Sequence, residues 1–393
     1  MFPVRCLRPT ACSNSFSSPP KDRGPFPKRN CPVNEDSTIS SQRYVLYVEA
    51  RRHGPTEQWD EMPTKGVNRI LVTGATGQIG SELTLELRRR YGNENVLAAG
   101  HKRVPTDALL KSGPFETLDT THKELLMRVA KRHDIDTIYH LASVLSASGE
   151  QNPQLAWQVN LGGLYNVLEV ARELNQARIF WPSSIAVFGE NAPRVRTPQY
   201  TILLPSTMYG VTKVSGELLC SYYFRRFGVD VRSVRYPGII SSETLPGGGT
   251  TDYAVEIFYE AIRNKRYTCF LREDSTLPMM YMPDCIKSAI QLMEAEPNKI
   301  RCHTSYNLTA MSFSPKELVA EIQKHIPEFK CDYKPDFRQE IADSWPMSID
   351  DSEAGKDWGW NPTYDLAAMT KDMIQKLTKK LEAEMLTQKE LSK

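Results

Sequence analysis

Ile70-Leu71-Val72-Thr73-Gly74-Ala75-Thr76-Gly77-Gln78-Ile79-Gly80 decides the fold of this chain. An apolar run of strand length meets three glycines spaced three apart, and a helical pattern follows from Ser81. In a strand–turn–helix of this kind the first glycine makes the turn. The second admits a pyrophosphate against the backbone, and the third lets the helix pack closely on the strand. The helix N-terminus then offers unpaired N–H groups and a partial positive charge to the phosphates. Gly74, Gly77, Gln78, Ile79 and Gly80 are the expected phosphate-side contacts of a bound dinucleotide. A glycine triplet alone also serves ordinary turns; here its context, including a second apolar stretch Val96-Leu97-Ala98-Ala99, supports the dinucleotide reading.

Outward from this turn, strand-length apolar stretches near 69–73, 95–99, 136–141, 178–182 and 230–235 alternate with helical patterns at 80–91, 122–132, 153–174 and 210–227. Such alternation predicts an α/β fold: a Rossmann-type, doubly wound parallel sheet with helices on both faces. The regular pattern ends near Gly238. The expected organisation is a leader at 1–65 and a nucleotide-binding domain at 66–238. A smaller α/β substrate-binding part at 239–385, interleaved with the main sheet, and a tail at 386–393 complete it.

Two further motifs carry chemistry. In Tyr209-Gly210-Val211-Thr212-Lys213 the tyrosine and lysine stand at i and i+4, on one face of a helix. A tyrosine near pKa 10 is a weak base at neutral pH, and a nearby ammonium and an oxidised nicotinamide, both positive, lower that value. Lys213 is also placed to hold a ribose hydroxyl. Ser183-Ser184-Ile185-Ala186 ends the strand Ile179-Phe180-Trp181, at the carboxyl edge where open α/β sheets bind ligands. Taken singly, a tyrosine–lysine pair is common on helices and a serine at a strand end is often a cap.

Together the three motifs resemble the extended short-chain dehydrogenase/reductase family, over about Val67 to Leu377. The resemblance implies Tyr209 as catalytic base, Lys213 as its helper and Ser184 as the catalytic hydroxyl. Leu141, Ala142 and Ser143, in His140-Leu141-Ala142-Ser143, would line the cofactor. Asn160 matches a helix asparagine of the family, and Asp119 matches an acid that contacts adenine. Pro237 and Ile239 would complete the cofactor contacts.

A narrower set of strings is similar to the short-chain L-threonine 3-dehydrogenase branch. They are Leu145-Ser146-Ala147, Arg235-Tyr236-Pro237-Gly238-Ile239, Pro246-Gly247-Gly248-Gly249-Thr250-Thr251, Leu277-Pro278-Met279-Met280-Tyr281 and Ala342-Asp343-Ser344-Trp345-Pro346. This implies oxidation of L-threonine with NAD as acceptor. Ser146, Ser184, Tyr209, Gly249, Thr250 and Thr251 would meet the substrate. One departure concerns the end of the second strand, where an acid usually bonds the ribose 2′-hydroxyl. Here it reads Gly100-His101-Lys102-Arg103, three potentially cationic side chains that would also suit the 2′-phosphate of NADP. NAD is the expectation. Two rivals are a nucleotide-sugar epimerase or dehydratase with retained NAD, for which Arg263, Lys265, Arg266 and Arg272 are candidate ligands, and a non-catalytic NAD-binding sensor.

The remaining composition narrows the setting. A net charge of +2 over 393 residues leaves no nucleic-acid footprint, and no apolar run approaches the roughly 20 residues of a membrane span. The eight cysteines are scattered with no Cys-x-x-Cys, so neither a metal site nor a disulfide framework is expected. Residues 1–34 hold Arg5, Arg8, Lys21, Arg23, Lys28 and Arg29 against Asp22 alone, with many Ser and Pro. That start resembles an organelle transit peptide, with a mitochondrial destination expected. Val214, Leu218, Leu219, Tyr222 and Tyr223 on the Tyr209 helix would supply a homodimer seam of the kind the family uses.

Overall fold

Alternate residues of the first strand serve opposite cores. In β1 (Ile70–Thr73), Ile70 and Val72 join one apolar cluster and Leu71 joins another. This is the period-two geometry of a strand with both faces covered, where nearly every position is apolar. The same partition runs through β2 (Val96–Gly100), β4 (Thr137–His140), β5 (Arg178–Ser184) and β6 (Val231–Tyr236), while the edge strand β3 (Phe115–Thr117) gives only Phe115 to one of the two cores. The computed structural model describes residues 67–391, apart from 175–177 and Pro246, and the side chains of that range as far as 386. The expected leader lies outside the described residues.

The main sheet is parallel and seven-stranded. Its order is Tyr306–Asn307, β6, β5, β4, β1, β2, β3. The order reverses beside β1, which pairs β2 on one side and β4 on the other. One face is covered by Leu83 and Leu87 of the helix Gln78–Tyr91, with Cys285 and Ala289 of Met282–Glu294. The opposite face is covered by Leu126 of Lys123–Arg132, Leu164 and Leu168 of Gly163–Leu174, and Cys220 and Tyr223 of Met208–Phe227.

The C-terminal part returns to this sheet through Tyr306–Asn307 and otherwise builds two small sheets. One has the order Met311–Phe313, Leu277–Tyr281, Gly238–Ile240; the other pairs Lys330–Tyr333 with Arg266–Cys269. The closing helix runs Leu366–Leu391, into the stretch 386–393 set apart as a tail. One departure lies within 153–174. The expected single helix is interrupted at Trp157–Gly162 by a π-helical segment, a distortion frequent at functional sites.

Candidate active site

Where the strand order reverses, the carboxyl ends of the strands open into a cleft of about 500 Å³. This is the topological switch point at which open α/β sheets bind ligands. Gly74, Gly77, Gln78, Ile79 and Gly80 line it. Gly74 holds φ +71°, and a Cβ there would stand 2.7 Å from Ala142 N. A Cβ on Gly80 would stand 2.2 Å from the Gly74 carbonyl oxygen, so helix and strand meet at a distance only glycine allows. The helix starts at Gln78 rather than Ser81, because Gly77 has already adopted the extended cap geometry. The N–H groups of its first turn lack intrahelical partners. Gln78 Nε2 is a further buried donor with no partner. A set of backbone and amide donors at the end of a helix fits the pyrophosphate of NAD.

Farther along, Asp119 accepts hydrogen bonds from Thr121 N at 2.9 Å and Thr121 Oγ1 at 2.8 Å, both on Oδ1. Burial opposes its ionisation, but these bonds and the charges of His101 and His122 outweigh that and hold the carboxyl below its ordinary range. His101 Nε2 lies 3.7 Å from Asp119 Oδ2. Lys102 and Arg103 line the same end and are exposed.

Leu141, Ala142, Ser143, Pro237 and Ile239 also line the cleft. Asn160, expected among the cofactor contacts, is not one of the residues lining the cleft. It sits buried in the π-helical segment and holds the wall from behind. Its Oδ1 accepts from Val144 N at 2.7 Å and Ser143 Oγ at 3.1 Å, and its Nδ2 donates to Val144 O at 3.0 Å. A bond from Nδ2 to Thr212 Oγ1 at 3.3 Å ties this wall to the Tyr209 helix.

Ser184, Tyr209 and Lys213 come together at the inner end. Thr207 caps their helix, its Oγ1 accepting from Gly210 N at 3.1 Å. Tyr209 is 9 % exposed and Lys213 3 %. Here the electrostatics differ from the sequence expectation. Burial pushes Tyr209 up to about 12, opposed by its hydrogen bond with Ser184. Burial likewise pushes Lys213 down to about 7. The ammonium donates to Pro182 O at 2.6 Å and lies 5.4 Å from the centre of the Tyr209 ring. Desolvation therefore moves both groups toward their neutral forms, and with Lys213 near 7 a large ammonium fraction remains at neutral pH.

The far side is built around Ser146. Its hydroxyl meets Thr250 Oγ1 at 3.1 Å and accepts from Thr250 N at 3.3 Å. Gly249 and Thr251 join the lining. Ser148, Asp252 and Trp345 also line the cleft and were not named as substrate contacts in the sequence. Asp252 shapes the glycine-rich loop, its Oδ2 accepting from Gly248 N at 2.9 Å and Gly249 N at 2.7 Å. Its place three residues after a glycine run was the available signal. The candidate epimerase ligands do not reach the cleft: Arg266 pairs with Asp332 at 2.6 Å, Arg272 with Asp343 at 2.7 Å, Lys265 with Glu328 and Arg263 with Glu384 both at 3.8 Å.

This glycine-turn cleft with its serine, tyrosine and lysine coincides with a family match: the model of the NAD dependent epimerase/dehydratase family fits residues 70–308. The chain belongs to that family. Within it, an uncharacterized epimerase/dehydratase of Staphylococcus haemolyticus is 53 % identical over 315 residues, 80 % of this chain and 99 % of that protein. Two solved structures are similar throughout. An L-threonine dehydrogenase of Clostridium difficile is 54 % identical with a TM-score of 0.78, covering 80 % of this chain and 99 % of the other. An L-threonine dehydrogenase of Phytophthora infestans is 53 % identical with a TM-score of 0.77, covering 80 % and 100 %. NAD is the family's cofactor, in agreement with the donor set around Gly77. Among the described residues no helix is long and apolar enough to cross a membrane, and no group of three His, Cys, Asp or Glu is placed to hold a metal ion.

Proposed function

We propose that the chain oxidises L-threonine at its β-carbon to L-2-amino-3-oxobutanoate with reduction of NAD. The observation that carries this reading is the convergence of Ser146, Thr250 and Thr251 on the same cleft as Ser184, Tyr209 and Lys213. The identity of half or more to two L-threonine dehydrogenases over nearly their whole lengths supports it.

The bound nicotinamide ring supplies the acceptor for the hydride that leaves Cβ. Ser184 orients the β-hydroxyl by a hydrogen bond. Tyr209, as phenolate, takes its proton, so the C–O bond becomes a carbonyl as the C–H bond breaks. Lys213, anchored on Pro182 O, keeps two N–H groups for a ribose hydroxyl and sets a positive charge beside Tyr209. Ser146 and Thr250 meet the polar groups of the amino acid, and the loop held by Asp252 covers it and excludes water. The test is reduced-cofactor formation by the full chain from L-threonine, with L-serine and L-allo-threonine as controls. Absence of threonine-dependent reduction, in folded protein that binds NAD, ends this reading.

His101 occupies the place where an acid would bond the 2′-hydroxyl, and it leans on Asp119 instead. His101→Asp is therefore expected to raise the preference for NAD over NADP by about tenfold, the effect of one charge-assisted hydrogen bond. Parallel kcat/KM measurements with the two cofactors check it, and an unchanged ratio removes His101 from cofactor selection.

We also propose a homodimer through the Tyr209 helix. Val214, Leu219 and Tyr223 of the expected seam pack inward. Leu218 and Tyr222 face out at 63 % and 53 % exposure, and Trp157 and Tyr165 on segments packed against this helix are exposed as well. Large exposed apolar side chains gathered on packed neighbouring segments are what an interface would cover. The double variant Leu218→Glu, Tyr222→Glu is expected to sediment as a monomer where the parent sediments as a dimer; a parent that is itself monomeric overturns the proposal. The mitochondrial destination rests on the composition of residues 1–34 and is tested by import of the full chain into isolated mitochondria.

A further inference from the structure

One buried charge pair lies directly beneath the catalytic groups and is used by no step above. Glu217 follows Lys213 by four residues, so Tyr209, Lys213 and Glu217 succeed one another along one face of the helix. Its carboxylate is 1 % exposed and faces Arg235 of β6, 4 % exposed. Arg235 donates Nε to Oε1 at 2.8 Å and Nη2 to Oε2 at 2.7 Å. Oε1 also accepts from Ser183 Oγ at 2.7 Å.

The helix is thus joined to the end of β5 at two successive levels. Lys213 donates to Pro182 O, and one turn farther Glu217 receives Ser183. Ser184 is the next residue on that strand. Arg235 extends the same network through Nη1, which donates to Gln199 O at 2.9 Å and Asn307 Oδ1 at 3.0 Å. Gln199 belongs to the connection that runs from Ser184 to Tyr209, so one ion pair holds the start of that connection, at Ser183, and a point midway along it.

We propose that Glu217 is a positioning residue for this site: through Ser183 it fixes the Ser184 hydroxyl, and its carboxylate, one helical turn from Lys213, favours the ammonium against the burial that disfavours it. The proposal rests on the reading of Ser184, Tyr209 and Lys213 as the reacting set. The groups facing Lys213 are Tyr209, Glu217 and Cys220 on its own helix, His140 from β4, and the Trp181 ring and Pro182 carbonyl from β5. Cys220 is pushed well above its ordinary range by burial, so the thiol is neutral. The His140 imidazole is pushed down to about 3 by burial, so it too is neutral. Glu217 is the carboxylate among these groups. Arg235 pairs with that carboxylate from β6, and the influence of Glu217 on the Lys213 ammonium is still to raise it.

Two variants separate positioning from mere support. Ser183→Ala removes the hydrogen bond and leaves the ion pair. It is expected to lower kcat about tenfold, the effect of one buried hydrogen bond, with the unfolding midpoint and NADH affinity unchanged. Glu217→Gln keeps the shape and removes the charge. In the full chain, competitive labelling of Lys213 by acetic anhydride is expected to reach its midpoint about one pH unit lower than in the parent. The alkaline limb of kcat is expected to move with it. Because the labelling needs neither threonine nor turnover, it still tests the Glu217–Lys213 link if the proposed reaction fails. The proposal is overturned if Lys213 labels with the parent's midpoint in Glu217→Gln. A Ser183→Ala variant with the parent's kcat overturns it equally, and that variant serves alone if Glu217→Gln does not fold.

Discussion

Tyr209→Phe is expected to lower kcat for threonine oxidation by about 10²–10⁴-fold, the usual contribution of a positioned general base, while NADH still binds. The ring is packed in the core beside the cleft, so phenylalanine fills the same space. The hydrogen bond with Ser184 is lost, and the β-hydroxyl then has no group to take its proton. The same reasoning fixes a pH dependence. A residue pushed up to about 12 by burial is almost wholly phenol at pH 7, so the phenolate fraction, and with it turnover, should climb through the acid side of the profile. Stopped-flow kinetics and NADH fluorescence titration read the two halves of the result. Retention of more than a tenth of the parent rate would remove Tyr209 from the reaction.

Glu217→Ala is expected to cost about 3–5 kcal/mol of stability, since it leaves the Arg235 guanidinium buried without its counter-charge. Two other Arg235 bonds, to Gln199 O and Asn307 Oδ1, soften the loss but carry no charge. The comparison that decides the cause is the double variant Glu217→Met, Arg235→Met. It removes both charges and fills similar volume, so it should unfold nearer the parent than Glu217→Ala does. Denaturant midpoints at constant slope give the ordering. If the double variant is the less stable of the two, the cost lies in packing and not in the stranded charge.

The parts of the site legible in the sequence are those whose geometry is local. The glycine spacing at Gly74 and Gly80 encodes a turn and a helix contact within a few residues, and the fold realises both. Tyr209 and Lys213 share a face because an i, i+4 spacing dictates it. What escaped was set by distant partners. Glu217 reads as an ordinary helix acid until Arg235 and Ser183 are brought against it from two strands. Asn160 reads as a cofactor contact within a continuous helix, whereas the π-helical turn aims it at Val144. The ionisation balance was illegible for the same reason. Charge neighbours can be counted along a sequence, but the depth at which Tyr209 and Lys213 lie cannot, and here depth decides the sign.

The strand Tyr306–Asn307, which closes the parallel sheet beside β6, has a bearing on how the chain is made. A ribosome delivers the whole glycine turn, Ser184, Tyr209 and β6 well before it delivers Tyr306. Until then the edge of β6 carries open backbone donors and acceptors next to the helix that bears the reacting groups. Asn307, which anchors Arg235, arrives with that last strand. A nucleotide-binding half expressed alone, ending near Gly238, would keep an unpaired edge and an incompletely held arginine. Such a fragment should accumulate as aggregate, and the catalytic half becomes a finished object only when its sequel has been translated.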